Sequence, residues 1–295
     1  MKRVRIAARG SKLSRIQVER VEELLREMGY ETEFLEVKTR ADLFDKAPLE
    51  SLGKGVFEKE VNQAVLTGAA DLAVHSMKDL QTNLETGLEI AATLKRDPPY
   101  DALISNVDLL SLPPDSAIGT SSVRRKFMIR ALRPDLRVLD LRGNVDTRLS
   151  RYLEGKFDGI VLAEASIKRM DLKIRYFSLD PILFTPAVNQ GIIAVVARKG
   201  SEIAHALRKV SDEETMEEAI AERAALEVIG GGCHSPLGVL FQQEGPRLHG
   251  IASIFTETSR YTETIEARGR AEELGRELGR RILRRVKNEG VNVKA

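Results

Sequence analysis

The chain has 295 residues, 42% apolar and 31% charged, with a formal net charge of only +2. That near-balance, with 5% aromatic residues and no tryptophan, argues against nucleic-acid binding through bulk charge or base stacking. No apolar run approaches the ~18 residues of a membrane span, and Met1-Lys2-Arg3-Val4-Arg5-Ile6 has no signal-peptide core, so with one thiol the expected setting is cytoplasmic.

Val4 to Ala8 reads as a strand. Ser14-Arg15-Ile16-Gln17 matches a capping box, and Val21, Leu24, Leu25 and Met28 line the face of the helix that follows, stopped by Gly29. Thr32 to Val37 is the next strand, and Ala41 to Gly55 is aperiodic and reads as a loop or lid. Phe57, Val61, Ala64 and Val65 mark a second helix, and Leu72-Ala73-Val74 is a wholly apolar strand of a parallel sheet. A second α/β unit begins near Asp97-Pro98-Pro99. Its strands are Ala117 to Gly119, Arg137 to Leu141 and Asp158 to Ala163, with a helix from Val123 and another capped by Asn144. Ile192 to Ala197 is again apolar and reads as a return to the first unit, giving two crossings and a hinged cleft. The tail differs. A helix over Thr215 to Val228 precedes strands at Val239 to Gln242, Leu248 to Phe255 and Tyr261 to Ala267, and a helix with Leu274, Leu278, Ile282 and Val286 on one side ends the chain. The expected domains are 1–96 plus 188–210, then 97–187, then 211–295.

Four constellations carry chemistry. Arg9-Gly10-Ser11 follows the first strand, where a parallel sheet opens its binding crevice; a plain strand-to-helix turn is the alternative. His75-Ser76-Met77-Lys78-Asp79 crowds the end of another strand. Asp79 is placed for acid–base work or for stabilising a cation, and Lys78 for an anion, unless the two are a surface pair of little value. Arg124 and Arg125 follow Gly119-Thr120-Ser121-Ser122 in the first turn of a helix, against the dipole, and Arg142 and Arg148 flank the next helix start. Guanidinium forks in such numbers suit carboxylates, though a solvated basic face has the same composition. Finally, the lone cysteine sits in Gly230-Gly231-Gly232-Cys233-His234-Ser235-Pro236-Leu237-Gly238. It is either a small buried hydrophobe or a thiol offered as nucleophile or attachment point. No histidine lies at zinc spacing from it, and no metal is expected.

In this order the motifs resemble the porphobilinogen deaminase family. The matching segments are Ile6 to Leu13, Gly53-Lys54-Gly55-Val56-Phe57, Asp71 to Leu80, Gly119 to Arg125, Leu141 to Val145 and Gly231 to Gly238. The resemblance implies two doubly wound α/β lobes joined by a two-crossing hinge, as in periplasmic binding proteins, plus a C-terminal α+β domain. It also implies a dipyrromethane cofactor tied to Cys233 by a thioether. On that cofactor four porphobilinogen units are joined head to tail with loss of ammonia, and water then releases linear hydroxymethylbilane. Asp79 is the implied catalytic group. Lys78, Ser122, Arg124, Arg125 and Arg142 are implied for the cofactor, and Arg9, Ser11, Arg148, Lys54 and Phe57 for the substrate. A monomer handing its product to a downstream tetrapyrrole enzyme is implied as well. The chain departs from the family pattern at Asn189, where glycine is usual, at Ala41, and at Gln81 and Glu85 in a loop the family favours with prolines. The rival from another class is a two-lobed organic-anion-binding protein without chemistry, which leaves the cysteine loop without a purpose.

Overall fold

The computed structural model describes residues 2–39, 58–230, 235–256 and 259–289. The expected lid at 41–55, Lys54, Phe57 and Cys233 lie outside the described residues. The chain forms two compact units, residues 1–97 with 191–216 and residues 98–190 with 217–295. It passes between them after Asp97, Gln190 and Met216.

The first unit is built on β1 (Lys2–Ala8), α1 (Lys12–Glu27), β2 (Tyr30–Glu36), α2 (Lys59–Leu66), β3 (Leu72–Ser76) and β4 (Leu88–Thr93), with β10 (Ile193–Arg198) and α6 (Glu202–Arg208) returning from the far side of the crossing. Its sheet runs β2-β1-β3-β10-β4. β1 is parallel to both β2 and β3, and β10 is antiparallel to β3 and β4. Ile6, Leu72, Val74 and Val195 bury one face of the sheet under Val18, Val21 and Leu25 of α1. α1 begins earlier than the capping-box reading: Ser11, not Ser14, is the N-cap, and its Oγ accepts the Ser14 N–H at 3.3 Å. The box match is offset because Ser11 already supplies the side-chain acceptor that the first turn needs.

The second unit repeats the plan. It contains β5 (Asp101–Ser105), β6 (Ala117–Gly119), α3 (Val123–Leu132), β7 (Arg137–Leu139), α4 (Val145–Leu153), β8 (Gly159–Ala163), α5 (Glu164–Arg169) and β9 (Phe177–Ser178). The order is β7-β6-β8-β5-β9, again three parallel strands followed by an antiparallel one, here the strand just after the first crossing. Asn144 stands at the N-cap of α4 but makes no side-chain cap bond, so the expected cap is positional only. Asn189 adopts φ +60, the left-handed conformation that glycine takes at no steric cost and asparagine tolerates. The departure from glycine therefore leaves the backbone path one that glycine would also follow.

The C-terminal part of this unit is α7 (Glu213–Ile229), which starts in the first unit, an antiparallel meander β11 (Leu237–Glu244), β12 (Arg247–Phe255) and β13 (Arg260–Ala267), and α8 (Ala271–Asn288). Gly275 and Gly279 of α8 lie against the α7 backbone; a Cβ on Gly275 would stand 2.0 Å from the Ala221 carbonyl oxygen. Phe255 of β12 is buried in the same core as Ile118, Phe184 and Leu179, which is why the meander clusters with this α/β sheet.

Candidate functional site

In the first unit, β1 and β3 are parallel neighbours, so the residues that follow them emerge at one edge of the sheet. Arg9, Gly10 and Ser11 follow β1. Lys78 and Asp79 follow β3 on a 3-10 turn, Met77–Asp79, closed by Leu80 N–H donating to the Met77 carbonyl at 3.1 Å. Both Lys78 and Asp79 are half-buried. The Ser11 hydroxyl oxygen is the helix cap described above, which leaves its O–H as a donor.

Beneath this edge lies a buried polar network. Gln17 of α1 donates to Ser76 Oγ at 2.7 Å. His75 Nε2 meets Asn62 Oδ1 at 2.9 Å, and Asn62 Nδ2 donates to Glu85 Oε2 at 2.9 Å. Glu58 is fully buried, and its two oxygens accept the Gln81 N–H at 3.1 and 3.0 Å. Burial, helped by the charge of Arg9, pushes His75 down to about 3, so the imidazole is neutral. Burial pushes Glu58 up to about 7 against the opposing Gln81 hydrogen bonds, with Glu85 and Asp79 adding repulsion.

These two groups have opposite effects on stability. Folded His75 holds its proton more weakly than the unfolded 6.5, so its contribution is lost as pH falls from 6.5 toward about 3. Folded Glu58 holds its proton more tightly than the unfolded 4.5, so its contribution is lost as pH rises from 4.5 toward about 7. Between 4.5 and 6.5 the slopes cancel. Glu58→Gln deletes one of them. On acidification across this window the variant is expected to lose about 1.4 kcal/mol per pH unit relative to wild type, read from urea denaturation. Parallel curves for the two proteins contradict a buried, protonated Glu58.

In the second unit, β6 and β7 are parallel neighbours with Gly119 opposite Leu139, so Ser121 to Arg125 and Arg142 arise from adjacent strand ends. Ser122 caps α3, its Oγ accepting the Arg125 N–H at 3.4 Å. Arg124 and Arg125 are buried on a carboxylate absent from the sequence reading, Asp101 at the start of β5. Arg124 Nη1 donates to Asp101 Oδ2 at 2.7 Å and to the Thr185 carbonyl at 2.7 Å. Arg125 donates from Nε (3.0 Å) and Nη2 (2.6 Å) to Asp101 Oδ1, which also accepts from Gln190 Nε2 at 3.0 Å. Burial alone would raise Asp101, but the two guanidinium groups outweigh it and hold the carboxyl well below the usual range. The anion expected near these arginines is thus supplied by the chain itself. Two cations and one anion still leave a net positive charge at the α3 N-terminus. Ser121 Oγ, next to the cap, is buried and has no hydrogen-bond partner. Excess positive charge, a helix N-terminus and an orphaned hydroxyl fit a carboxylate-bearing group such as a dipyrromethane. Arg148 Nε donates to the Gly143 carbonyl at 2.7 Å, where φ is +103; Arg142 is half-buried beside it. Among the described residues no cluster of histidine, cysteine, aspartate or glutamate could hold a metal, and no helix is long and apolar enough to cross a membrane.

Two family models match the chain: "Porphobilinogen deaminase, dipyromethane cofactor binding domain" over residues 4–206 and "Porphobilinogen deaminase, C-terminal domain" over residues 216–284. A curated relative named "Probable porphobilinogen deaminase" from Sulfurisphaera tokodaii is 55% identical over 98% of this chain and 99% of its own. Relatives of the same name from Metallosphaera sedula and Saccharolobus islandicus are 51% and 49% identical, each over 98% of this chain and 99% of its own. Among solved structures, substrate-binding domain 2 of Lactococcus lactis GlnP aligns with 77% of this chain and 90% of its own at 13% identity and a TM-score of 0.43, too distant to bear on fold or chemistry. Motif order, the two domain models and near-full-length identity agree: the chain belongs to the porphobilinogen deaminase family.

Proposed function

We propose that the chain is a hydroxymethylbilane synthase, a transferase that joins four porphobilinogen units head to tail, releases one ammonia for each, and liberates linear hydroxymethylbilane. The observation that carries this reading is the pair of family models covering 4–206 and 216–284. The dipyrromethane, held by a thioether to Cys233, supplies when bound the pyrrole terminus that accepts each new unit.

Asp79 is the catalytic residue in this reading. Its carboxylate accepts pyrrole N–H groups and opposes the positive charge that develops on the substrate ring as ammonia leaves. Ser122, Arg124, Arg125, Arg142 and Lys78 hold the cofactor carboxylates. Support comes from the uncompensated charge at α3 and from the unpartnered Ser121 hydroxyl beside Ser122. Arg9, Ser11 and Arg148, with Lys54 and Phe57, receive the acetate and propionate of the incoming unit. The enzyme works as a cytoplasmic monomer and passes its product to a later tetrapyrrole enzyme. It binds neither nucleic acid nor membrane.

Intact-mass spectrometry tests the reading. The active protein is expected to exceed its polypeptide mass by one adduct of two linked pyrroles, and Cys233→Ser is expected to show the bare mass and no turnover. An acid aldehyde reagent that colours pyrroles should stain the first protein and not the second. Active protein of bare mass overturns the reading.

A further inference from the structure

Asp79 is carried on a short turn between β3 and a loop, and α2 fixes that turn from behind. Glu58 and Asn62 stand one helical turn apart at the start of α2, so their side chains leave the same face. Both are fully buried. Their partners beyond the turn, Gln81 and Glu85, have the same spacing. Asn62 also reaches His75 in β3. One helix face therefore holds the strand that enters the Asp79 turn and the segment that leaves it.

The Gln81 side chain also hydrogen-bonds Glu58, but a buried carboxylate that draws its donors from one residue is a costly acceptor. Proline at position 81 has no N–H and would make the acceptor unnecessary. Leu80 has ψ 139, the extended conformation that a following proline requires, so the residue before position 81 needs no change for proline. The chain instead keeps an N–H at 81 and a carboxylate beneath it.

We propose that Glu58 is a positioning residue for the condensation: by accepting the Gln81 N–H it fixes the backbone two residues beyond Asp79, and so the direction in which the Asp79 carboxylate points. This rests on the reading of Asp79 given above. Glu58 and Gln81 are then a matched pair. Removing either one leaves a buried polar group without its partner, and removing both restores a satisfied turn.

The test is a double-mutant cycle on cofactor-loaded enzyme. In Glu58→Val, kcat is expected to fall about 10- to 50-fold while KM changes less than about 3-fold, the signature of a displaced reacting group. In Glu58→Val with Gln81→Pro, kcat is expected to return to within about 3-fold of wild type. Gln81→Pro alone supplies the same comparison from the other corner if Glu58→Val does not fold. Hydrogen exchange of residues 80–87 in cofactor-free protein gives a second readout: faster in either single variant, restored in the double. A folded, loaded Glu58→Val with unchanged kcat overturns the proposal, as does a double variant no better than the singles. Asp79→Asn, assayed in parallel, separates the two ideas. If that variant is active, the reading of Asp79 fails; if it is inactive while Glu58→Val is normal, only the positioning role fails.

Discussion

Asp101→Asn is expected to destabilise the protein by about 3–5 kcal/mol, because it leaves two guanidinium groups buried without their shared counter-charge. The side chains of Arg124 and Arg125 are 5% and 6% exposed and cannot turn to water without opening the core around Met128 and Val161. Asparagine keeps the volume of the aspartate and one oxygen acceptor, so the loss measures charge and not packing. The midpoint of urea unfolding should fall with the slope unchanged, which separates a loss of stability from a change in the unfolded state. The pH dependence gives a second signature. The folded carboxyl titrates below the ordinary 3.8, so its contribution is complete above that value and is lost as pH falls below it. Wild type and variant should therefore converge in strong acid. Cofactor loading should fall as well, since Arg124 and Arg125 are oriented through Asp101. An unfolding free energy within about 1 kcal/mol of wild type would mean that the ion triad is not a structural unit.

What is legible in the sequence divides by the range of the force involved. β3 and β10 are readable because Leu72 to Val74 and Ile193 to Ala197 are buried on both faces and so are continuously apolar. The starts of α1 and α3 are readable to within a few residues because Ser11 and Ser122 meet a local need, an acceptor for the first turn. β5 is missed. Its apolar stretch Ala102 to Ile104 is short, and it is framed by Asp101 and Ser105, polar residues that are nonetheless buried. Asp101 is inside only because Arg124 and Arg125, 23 and 24 residues later, meet it there. The double proline before Tyr100 and the apolar triplet after Asp101 were the available signals. Glu58 is missed for the same reason. At the head of a helix it reads as an ordinary acid favouring the dipole, and its burial depends on a backbone N–H 23 residues away. The residues that touch a ligand in the family reading are legible from motif; those that hold them in place are not, because each answers to a distant partner.

Asp79→Asn is expected to lower kcat by about 10²- to 10³-fold with the fold intact, the usual scale for removing an electrostatic stabiliser aimed at developing charge. The fold should survive because the turn is closed by backbone, Leu80 to Met77, and by Glu58 on Gln81, none of which uses the Asp79 side chain. Asparagine still offers an oxygen to a pyrrole N–H, so substrate binding should change little and the loss should fall on kcat, not on KM. What disappears is the negative charge, and Arg9 in the same unit makes that loss severe: it already lowers the proton affinity of His75, and a cationic ring would meet the same field. Asp79→Glu keeps the charge but moves it by one methylene, and is expected to retain more activity than the asparagine variant. Glu58 reports on the same change from below, since the Asp79 charge is one of the causes that raise it. In Asp79→Asn its titration should shift downward. A neutral variant that is folded, loaded and turning over near the wild-type rate would show that positive charge on the ring is stabilised elsewhere, and the arrangement of β3, its turn and α2 would then need another purpose.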